Sequence, residues 1–258
     1  MIGQVELVTK FNEYSLMTLP HSVLLIGDKG CGKHTLVSEL AKTFNIDVVD
    51  ISTSLSLDMI NEITSRPIST FYIIDCSVIT ERHQNIILKF LEEPLQYVYV
   101  FLLCTNESLL LPTILNRCVK FKFEPYSREV LKQFLNGQNE KLLDVCTTPG
   151  QLLSIHANDL DELKKLCDTI VTRIGKANYP NTLSIVRKIN LKDEFDKFDI
   201  EIFFNVLLLT IYNKVLSGEN LLNLYNLVLD YKKRLRDSRL NKELLLENFL
   251  TTLWEFMR

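Results

Sequence analysis

The chain has 258 residues, enough for one large domain or two to three small ones at about 150 residues per domain. Its 29 basic and 32 acidic side chains leave a formal charge of −3, so no global charge draws it to nucleic acid or to an anionic membrane. Eight glycines and seven prolines are about half of the usual share, which excludes disordered and loop-dominated all-β classes and favours long helices.

The first half of the chain alternates predicted strands with predicted helices. Short apolar runs predict buried strands at residues 22–27, 46–52, 69–76, 97–105 and 118–123. Apolar residues at helical spacing predict one helix that ends near Phe44 and another that begins after Thr80, a residue suited to the N-cap. Strands that alternate with helices in this way predict an α/β fold, with a parallel sheet covered on both faces.

Only helices are predicted beyond Pro125. Ser127 is expected to cap a helix that extends to Leu135, and the sequence TTPG at residues 147–150 predicts a break. Further helices are predicted at residues 160–174, 200–215 and 246–257, with a linker at 175–180. The last two predicted helices have wide apolar faces, which indicates a contact between subunits.

Membrane, secretory and metal-binding classes are not expected. No apolar run approaches the ~18–20 residues that span a bilayer, and the first fifteen residues lack the apolar core of a secretory signal. The six cysteines form no CxxC pair and lie mostly in apolar runs. They predict reduced thiols, no zinc site and a cytoplasmic protein.

A glycine-rich turn, GDKGCGKH at residues 27–34, joins the first predicted strand to the first predicted helix. It matches the GxxxxGK pattern of a P-loop in the context that the pattern requires. Gly27, Gly30 and Gly32 allow backbone N–H groups to surround a phosphate, the helix N-terminus adds a favourable dipole, and Lys33 adds a point charge. The motif predicts a P-loop fold and leaves open whether a nucleotide occupies the loop.

Two positions of this site depart from an ordinary P-loop ATPase. His34 stands where a Ser or Thr hydroxyl would bind Mg²⁺, and Thr35 lies about 100° further around the helix. The third predicted strand ends in Asp75, as a Walker B strand does, but Cys76 occupies the place of the glutamate that activates water. Together these substitutions predict that Mg²⁺-dependent ATP hydrolysis at this site is lost.

Several segments resemble, in chain order, the motifs of AAA+ clamp-loader subunits. NIILKFLEEP at residues 85–94 resembles NALLKTLEEP, LPTILNRC at 111–118 resembles LPTIxSRC, and residues 235–250 resemble the collar helix. Asn106 lies where sensor 1 is found, and the TPG at residues 148–150 resembles the SPG turn of the delta-prime branch, which lacks the sensor 2 arginine. The chain is therefore similar to an AAA+ clamp-loader subunit, most of all to the delta-prime branch in bacteria or phages.

The resemblance implies a P-loop domain with a five-stranded parallel sheet at residues 1–125, a small helical lid at 126–176 and an all-helical collar at 177–258. It implies loading of sliding clamps in DNA replication, with other clamp-loader subunits, the clamp and primer–template DNA as partners. It implies ATP as the nucleotide and no zinc module. The nucleotide-binding positions would be Gly27, Gly30, Gly32, Lys33, His34, Thr35, Asp75 and Asn106. Arg117, in the SRC-like motif, would act as an arginine finger on the ATP of a neighbouring subunit.

Three functions stay open at this point. The chain is a clamp-loader subunit with a degenerate ATPase site that donates Arg117, an active ATP-hydrolysing subunit with a divergent Mg²⁺ site, or a P-loop protein that regulates a process outside replication. The alternative for Arg117 is a surface charge paired with a local carboxylate such as Glu107 or Glu124. Glu92 and Glu93 are expected to be helix-end and interface groups rather than a catalytic pair.

Overall fold

A computed structural model describes residues 2–65, 67–93, 95–135, 137, 139–155, 157–174, 199–235 and 240–256. The chain divides into two compact units, Met1–Ser127 and Arg128–Arg258. The first boundary lies close to the one expected at residue 125. The lid–collar boundary and the linker expected near residue 176 fall in 175–198, outside the described residues, so that part of the domain division stays a prediction.

The first unit alternates helices and strands. In chain order they are α1 (Val5–Asn12), β1 (Ser22–Ile26), α2 (Lys33–Phe44), β2 (Asp47–Asp50), α3 (Leu57–Ser65), β3 (Thr70–Asp75), α4 (Glu81–Glu92), β4 (Val98–Cys104), α5 (Pro112–Leu115) and β5 (Val119–Lys122). A 3₁₀ turn at Glu107–Leu109 precedes α5. All five predicted strands are present, whereas α1 and α3 were not predicted.

The strands form a five-stranded sheet in the order β2-β3-β4-β1-β5, and every pairing is parallel. The α/β prediction is therefore confirmed. The expectation that both faces are covered holds for β1, β3 and β4, which are buried almost throughout. It was wrong for β2 and β5, the two edge strands of the sheet, whose residues are mostly exposed.

Alternate residues of the central strands supply two cores, as the two-residue period of a strand requires. One core lies on the side of α3 and α4 and includes Leu24, Tyr72, Ile74, Cys76, Ile87, Leu102 and Cys104. The other lies on the side of α1 and α2 and includes Phe11, Val23, Leu25, Val37, Phe71 and Phe101. The helices on the two faces fix the carboxyl ends of the strands, where the P-loop begins.

The start of α4 agrees with the sequence. Thr80 is the N-cap, and its hydroxyl accepts a hydrogen bond from the His83 N–H at 3.5 Å. The Thr80 N–H donates in return to Nδ1 of His83 at 3.2 Å. This reciprocal pair is a capping box in which a histidine ring replaces the usual Glu or Gln.

The second unit is helical. Its elements are α6 (Arg128–Lys132), a 3₁₀ turn (Glu140–Asp144), α7 (Pro149–Ser154), α8 (Ala157–Ile174), α9 (Ile200–Leu216), α10 (Leu222–Arg234) and α11 (Lys242–Phe256). The break predicted at 147–150 is present at Thr147 and Thr148, but Pro149 and Gly150 already belong to α7, which Thr148 caps by accepting the Gln151 N–H at 3.4 Å. The helix after Ser127 also ends earlier than predicted, at Lys132.

The apolar stripe of α9 lies mainly in the core of its own unit. Phe203 and Phe204 are fully buried, and the Phe204 ring lies 5.0 Å from the ring of Phe249 on α11. The expectation that this stripe contacts another subunit was therefore wrong for its central residues. Large apolar side chains remain exposed at Leu216 and Leu222, which lie on either side of the α9–α10 turn. Within the described residues, no helix combines the length and apolar content needed to cross a bilayer.

Candidate nucleotide site and arginine finger

The P-loop lies between β1 and α2, at the carboxyl edge of the sheet. The Gly27 N–H donates to the carbonyl of Cys104 on β4 at 3.0 Å, which fixes the start of the loop to the neighbouring strand. Gly30 and Gly32 have φ values of 77° and 99°, in the left-handed region that favours glycine. A Cβ at Gly27 would lie 2.7 Å from the Cβ of Phe123, so no larger residue fits there without a shift of the neighbouring strand.

The loop presents donors for an anion. Gly32 is the N-cap of α2 and has no side chain that could cover the N–H groups of the first helical turn. The ammonium of Lys33 donates to the carbonyls of Gly27 at 2.6 Å and Asp28 at 3.0 Å. This places the lysine charge within the loop, as the sequence predicts. The arrangement can hold a phosphate group.

The sequence did not predict which residue outside the P-loop would hydrogen-bond to its backbone. The Tyr126 hydroxyl donates to the carbonyl of Cys31 at 2.7 Å. The Cys31 side chain is buried, and burial raises the pKa of its thiol. Tyr126 follows β5 and lies 95 residues from Cys31. Only the pairing of β5 with β1 brings the two together, and no local signal encodes that pairing.

The positions that would hold Mg²⁺ do not fit that ion. His34 and Thr35 are both exposed at the start of α2, and an imidazole replaces the hydroxyl that Mg²⁺ prefers. Asp75 is at the end of β3 as predicted, but its Oδ1 accepts the N–H of Ser77 at 2.8 Å. Across the described part of the chain, no group of three His, Cys, Asp or Glu side chains could hold a metal ion.

Cys76, at the position of the water-activating glutamate, is buried in the core. It is 2% exposed and packs in the core on the α4 side together with Cys104 and Ile114. Burial raises the pKa of its thiol well above the usual range, and the nearby Cys104 and Asp75 raise it further. A neutral, buried thiol has no means of removing a proton from water. Strand alternation could have predicted this, because Ile74 and Cys76 share one face of the sheet.

Asn106, the predicted sensor residue, follows the end of β4. Its side-chain oxygen accepts the N–H of Ser108 at 3.1 Å and so caps the 3₁₀ turn at Glu107–Leu109. The structure therefore places Asn106 at the same sheet edge as the P-loop and gives its oxygen a capping role. Its contact with a nucleotide stays a prediction.

Arg117 is held at the surface by two acceptors. One terminal nitrogen donates to the carbonyl of Thr113 at 2.9 Å, and the other lies 2.7 Å from the carboxylate of Glu92 at the end of α4. The Arg117 side chain is 36% exposed. Glu107, which the sequence offered as a partner for Arg117, pairs with Lys120 at 2.6 Å. The hydrogen bond from that lysine is the main reason why the pKa of Glu107 is lowered.

Comparisons with known proteins agree on one class. A family model described as DNA polymerase III, delta subunit, matches residues 46–127. The DNA polymerase III subunit gamma of Buchnera aphidicola subsp. Acyrthosiphon pisum (strain APS) is 32% identical, over 52% of this chain and 47% of that protein. The Replication factor C small subunit of Methanococcus maripaludis (strain C5) is 24% identical, over 55% of this chain and 50% of that protein. The chain thus spans about half the length of the curated relatives it matches.

A solved structure bears on the fold alone. A single-residue variant of Thermotoga maritima RuvB superposes with a TM-score of 0.50 and 18% identity, over 66% of this chain and 64% of that chain. The P-loop, the parallel sheet and this likeness define an AAA+ α/β protein. Over about half of its length, the chain is similar in sequence to subunits named DNA polymerase III subunit gamma and Replication factor C small subunit.

Proposed function

We propose that the chain is a subunit of a sliding-clamp loader in DNA replication, that it does not hydrolyse ATP itself, and that it supplies Arg117 to the ATP of a neighbouring subunit. One contrast carries the proposal. The base position, Cys76, is sealed in the core, whereas the side chain of Arg117 remains at the surface. A subunit that assists ATP hydrolysis by a neighbour, and does not hydrolyse ATP itself, needs this combination. The same combination is expected from the resemblance to the delta-prime branch.

The geometry of Arg117 suits an action across a subunit interface. Its planar, permanently charged guanidinium can pair with two phosphate oxygens at once, and it stabilises charge that develops on the γ-phosphate. The ion pair with Glu92 joins two partly exposed side chains and contributes only about 0–1 kcal/mol. A triphosphate from a neighbour can therefore displace Glu92, while the carbonyl of Thr113 continues to orient the side chain.

The proposed partners are other AAA+ clamp-loader subunits, the sliding clamp and primer–template DNA, in the cytoplasm. The names of the relatives, DNA polymerase III subunit gamma and Replication factor C small subunit, support this choice over a role outside replication. Because the chain spans about half of those relatives, the partners belong to the proposal. Purification of the tagged full-length chain, followed by identification of co-purifying subunits, tests it directly.

The isolated chain is expected to show no ATP hydrolysis above background, with or without DNA and clamp. The physical reason is the loss of two groups, a hydroxyl ligand at His34 and a base at Cys76. The measurement is steady-state phosphate release, with Lys33→Ala as the matched background. A turnover of about 1 s⁻¹, low for an ordinary enzyme, that disappears in Lys33→Ala would contradict the expectation.

A second variant extends this measurement. Cys76→Glu is expected to leave hydrolysis absent, because a carboxylate at a 2% exposed position is buried among apolar side chains instead of reaching the loop. The same variant should unfold at lower urea concentration than the unchanged chain. Hydrolysis created by Cys76→Glu would show that residue 76 can face the nucleotide.

The exposed leucines at the α9–α10 turn are expected to contact a neighbouring subunit. Leu216 is 69% exposed and Leu222 is 59% exposed. The double variant Leu216→Glu with Leu222→Glu should fold normally and co-purify with much less of the partner subunits, because it places charge in an apolar contact. Leu153→Glu, at a site that is 62% exposed on α7, is the matched control. Equal partner recovery in both variants would remove this turn from the interface.

A further inference from the structure

The P-loop has the donors that bind a phosphate group, but the position of the Mg²⁺ hydroxyl ligand does not fit that ion. The loop offers the N–H groups at the start of α2, whose N-cap Gly32 has no side chain, and the ammonium of Lys33. The position that would supply the hydroxyl ligand of Mg²⁺ offers an exposed imidazole at His34. The Asp75 carboxylate remains at the end of β3, where its Oδ1 accepts the Ser77 N–H. The phosphate-binding half of the site is therefore intact, and the cation-binding half lacks its hydroxyl ligand.

We propose that this P-loop binds a nucleoside diphosphate without a divalent cation. The inference deepens the proposed function, since it rests on the same nucleotide site. Fixed backbone donors at a helix N-terminus bind a phosphate group without needing a metal ion. Lys33 supplies a full positive charge when its ammonium exchanges the carbonyls of Gly27 and Asp28 for phosphate oxygens.

The preference for a diphosphate follows from charge. A third phosphate adds negative charge that a bound cation normally neutralises. Within the loop, the positive charge that replaces this cation is the ammonium of Lys33. The carboxylate of Asp75 at the same sheet edge adds repulsion for any further phosphate. ADP should therefore bind more tightly than ATP when no cation is present.

The experiment is a titration of the purified full-length chain with ADP and with ATP by isothermal calorimetry, once in magnesium chloride and once in excess EDTA. ADP is expected to bind with the same affinity in both, within about twofold, and at least about threefold more tightly than ATP in EDTA. Lys33→Ala should weaken ADP binding at least about tenfold, because it removes the charged donor. A loss of ADP binding in EDTA, or no ADP binding in either buffer, would overturn the proposal.

His34→Ser is the decisive matched variant, because it restores the hydroxyl at the ligand position and leaves the loop unchanged. Its ADP affinity should become at least about tenfold stronger in magnesium chloride than in EDTA, since a hydroxyl oxygen suits Mg²⁺. Equal affinities of His34→Ser in the two buffers would overturn the account. Circular dichroism spectra verify that each variant is folded. The outcome is separable from the arginine-finger role, because Arg117 acts on a neighbour's nucleotide and binding is measured here on the chain alone.

Discussion

Replacing Arg117 with alanine is expected to reduce DNA-stimulated ATP hydrolysis by the assembled complex at least about tenfold, within the range in which arginine fingers contribute about 10³–10⁵-fold. The reason is that a neutral methyl group leaves the charge on the neighbour's γ-phosphate without its bidentate partner. The measurement is phosphate release by the complex purified through a tag on this chain, at saturating ATP and primer–template DNA.

Assembly should survive the same substitution. The Arg117 side chain is partly exposed, and its contact with Glu92 is a surface ion pair that contributes about 0–1 kcal/mol. Arg117→Lys should restore little of the rate, because a lysine keeps the charge and loses the planar fork. Subunit content is compared by gel densitometry, so that a lower rate cannot be attributed to a missing subunit.

Arg128→Ala is the matched control for surface arginine removal. Arg128 is 55% exposed and pairs with Asp144 at 2.7 Å, so it resembles Arg117 in exposure and in having one carboxylate partner. Its removal should leave hydrolysis within about twofold of the unchanged complex. If Arg117→Ala behaves like Arg128→Ala in an intact complex, Arg117 is an ordinary surface charge and the finger assignment is wrong.

The elements that the sequence predicted well are those with a local signal. The apolar run of β1 is bounded by Gly27, and the start of α4 is marked by its N-cap Thr80. Both elements are found where they were expected. The helix α1 was missed because it is only eight residues long and its N-cap, Gln4, makes no side-chain capping bond. A helix without a start signal depends on tertiary packing, here the burial of Leu7 and Phe11.

The contacts around Arg117 in the candidate site could not be predicted from the sequence. The SRC-like motif pointed to Arg117, but its partner Glu92 is 25 residues away and meets it only because α4 packs against α5. Glu107 is closer to Arg117 along the chain than Glu92 is, but its carboxylate forms ion pairs with two lysines of β5. Which of several carboxylates pairs with one arginine is decided by helix packing, and periodicity does not encode that choice.

Gln84 is another residue that sequence reasoning did not single out, although it joins α4 to the segment before α5. Its side chain is 5% exposed. The amide nitrogen donates to the carbonyl of Leu109 at 2.8 Å, and the amide oxygen accepts the N–H of Leu111 at 2.8 Å. One side chain thus satisfies two backbone groups between the 3₁₀ turn and α5. Because Thr113 and Arg117 follow this segment directly, Gln84 also fixes the base of the arginine-bearing loop.

Gln84→Leu is expected to lower the free energy of unfolding of the first unit by about 2–4 kcal/mol, because it leaves a backbone N–H and a backbone carbonyl without their partner. Urea unfolding followed by far-ultraviolet circular dichroism measures the change. Gln96→Leu, the same substitution at an exposed position, should change stability by less than about 0.5 kcal/mol. If the two variants are equally stable, the bridge at Gln84 contributes nothing to the free energy of unfolding.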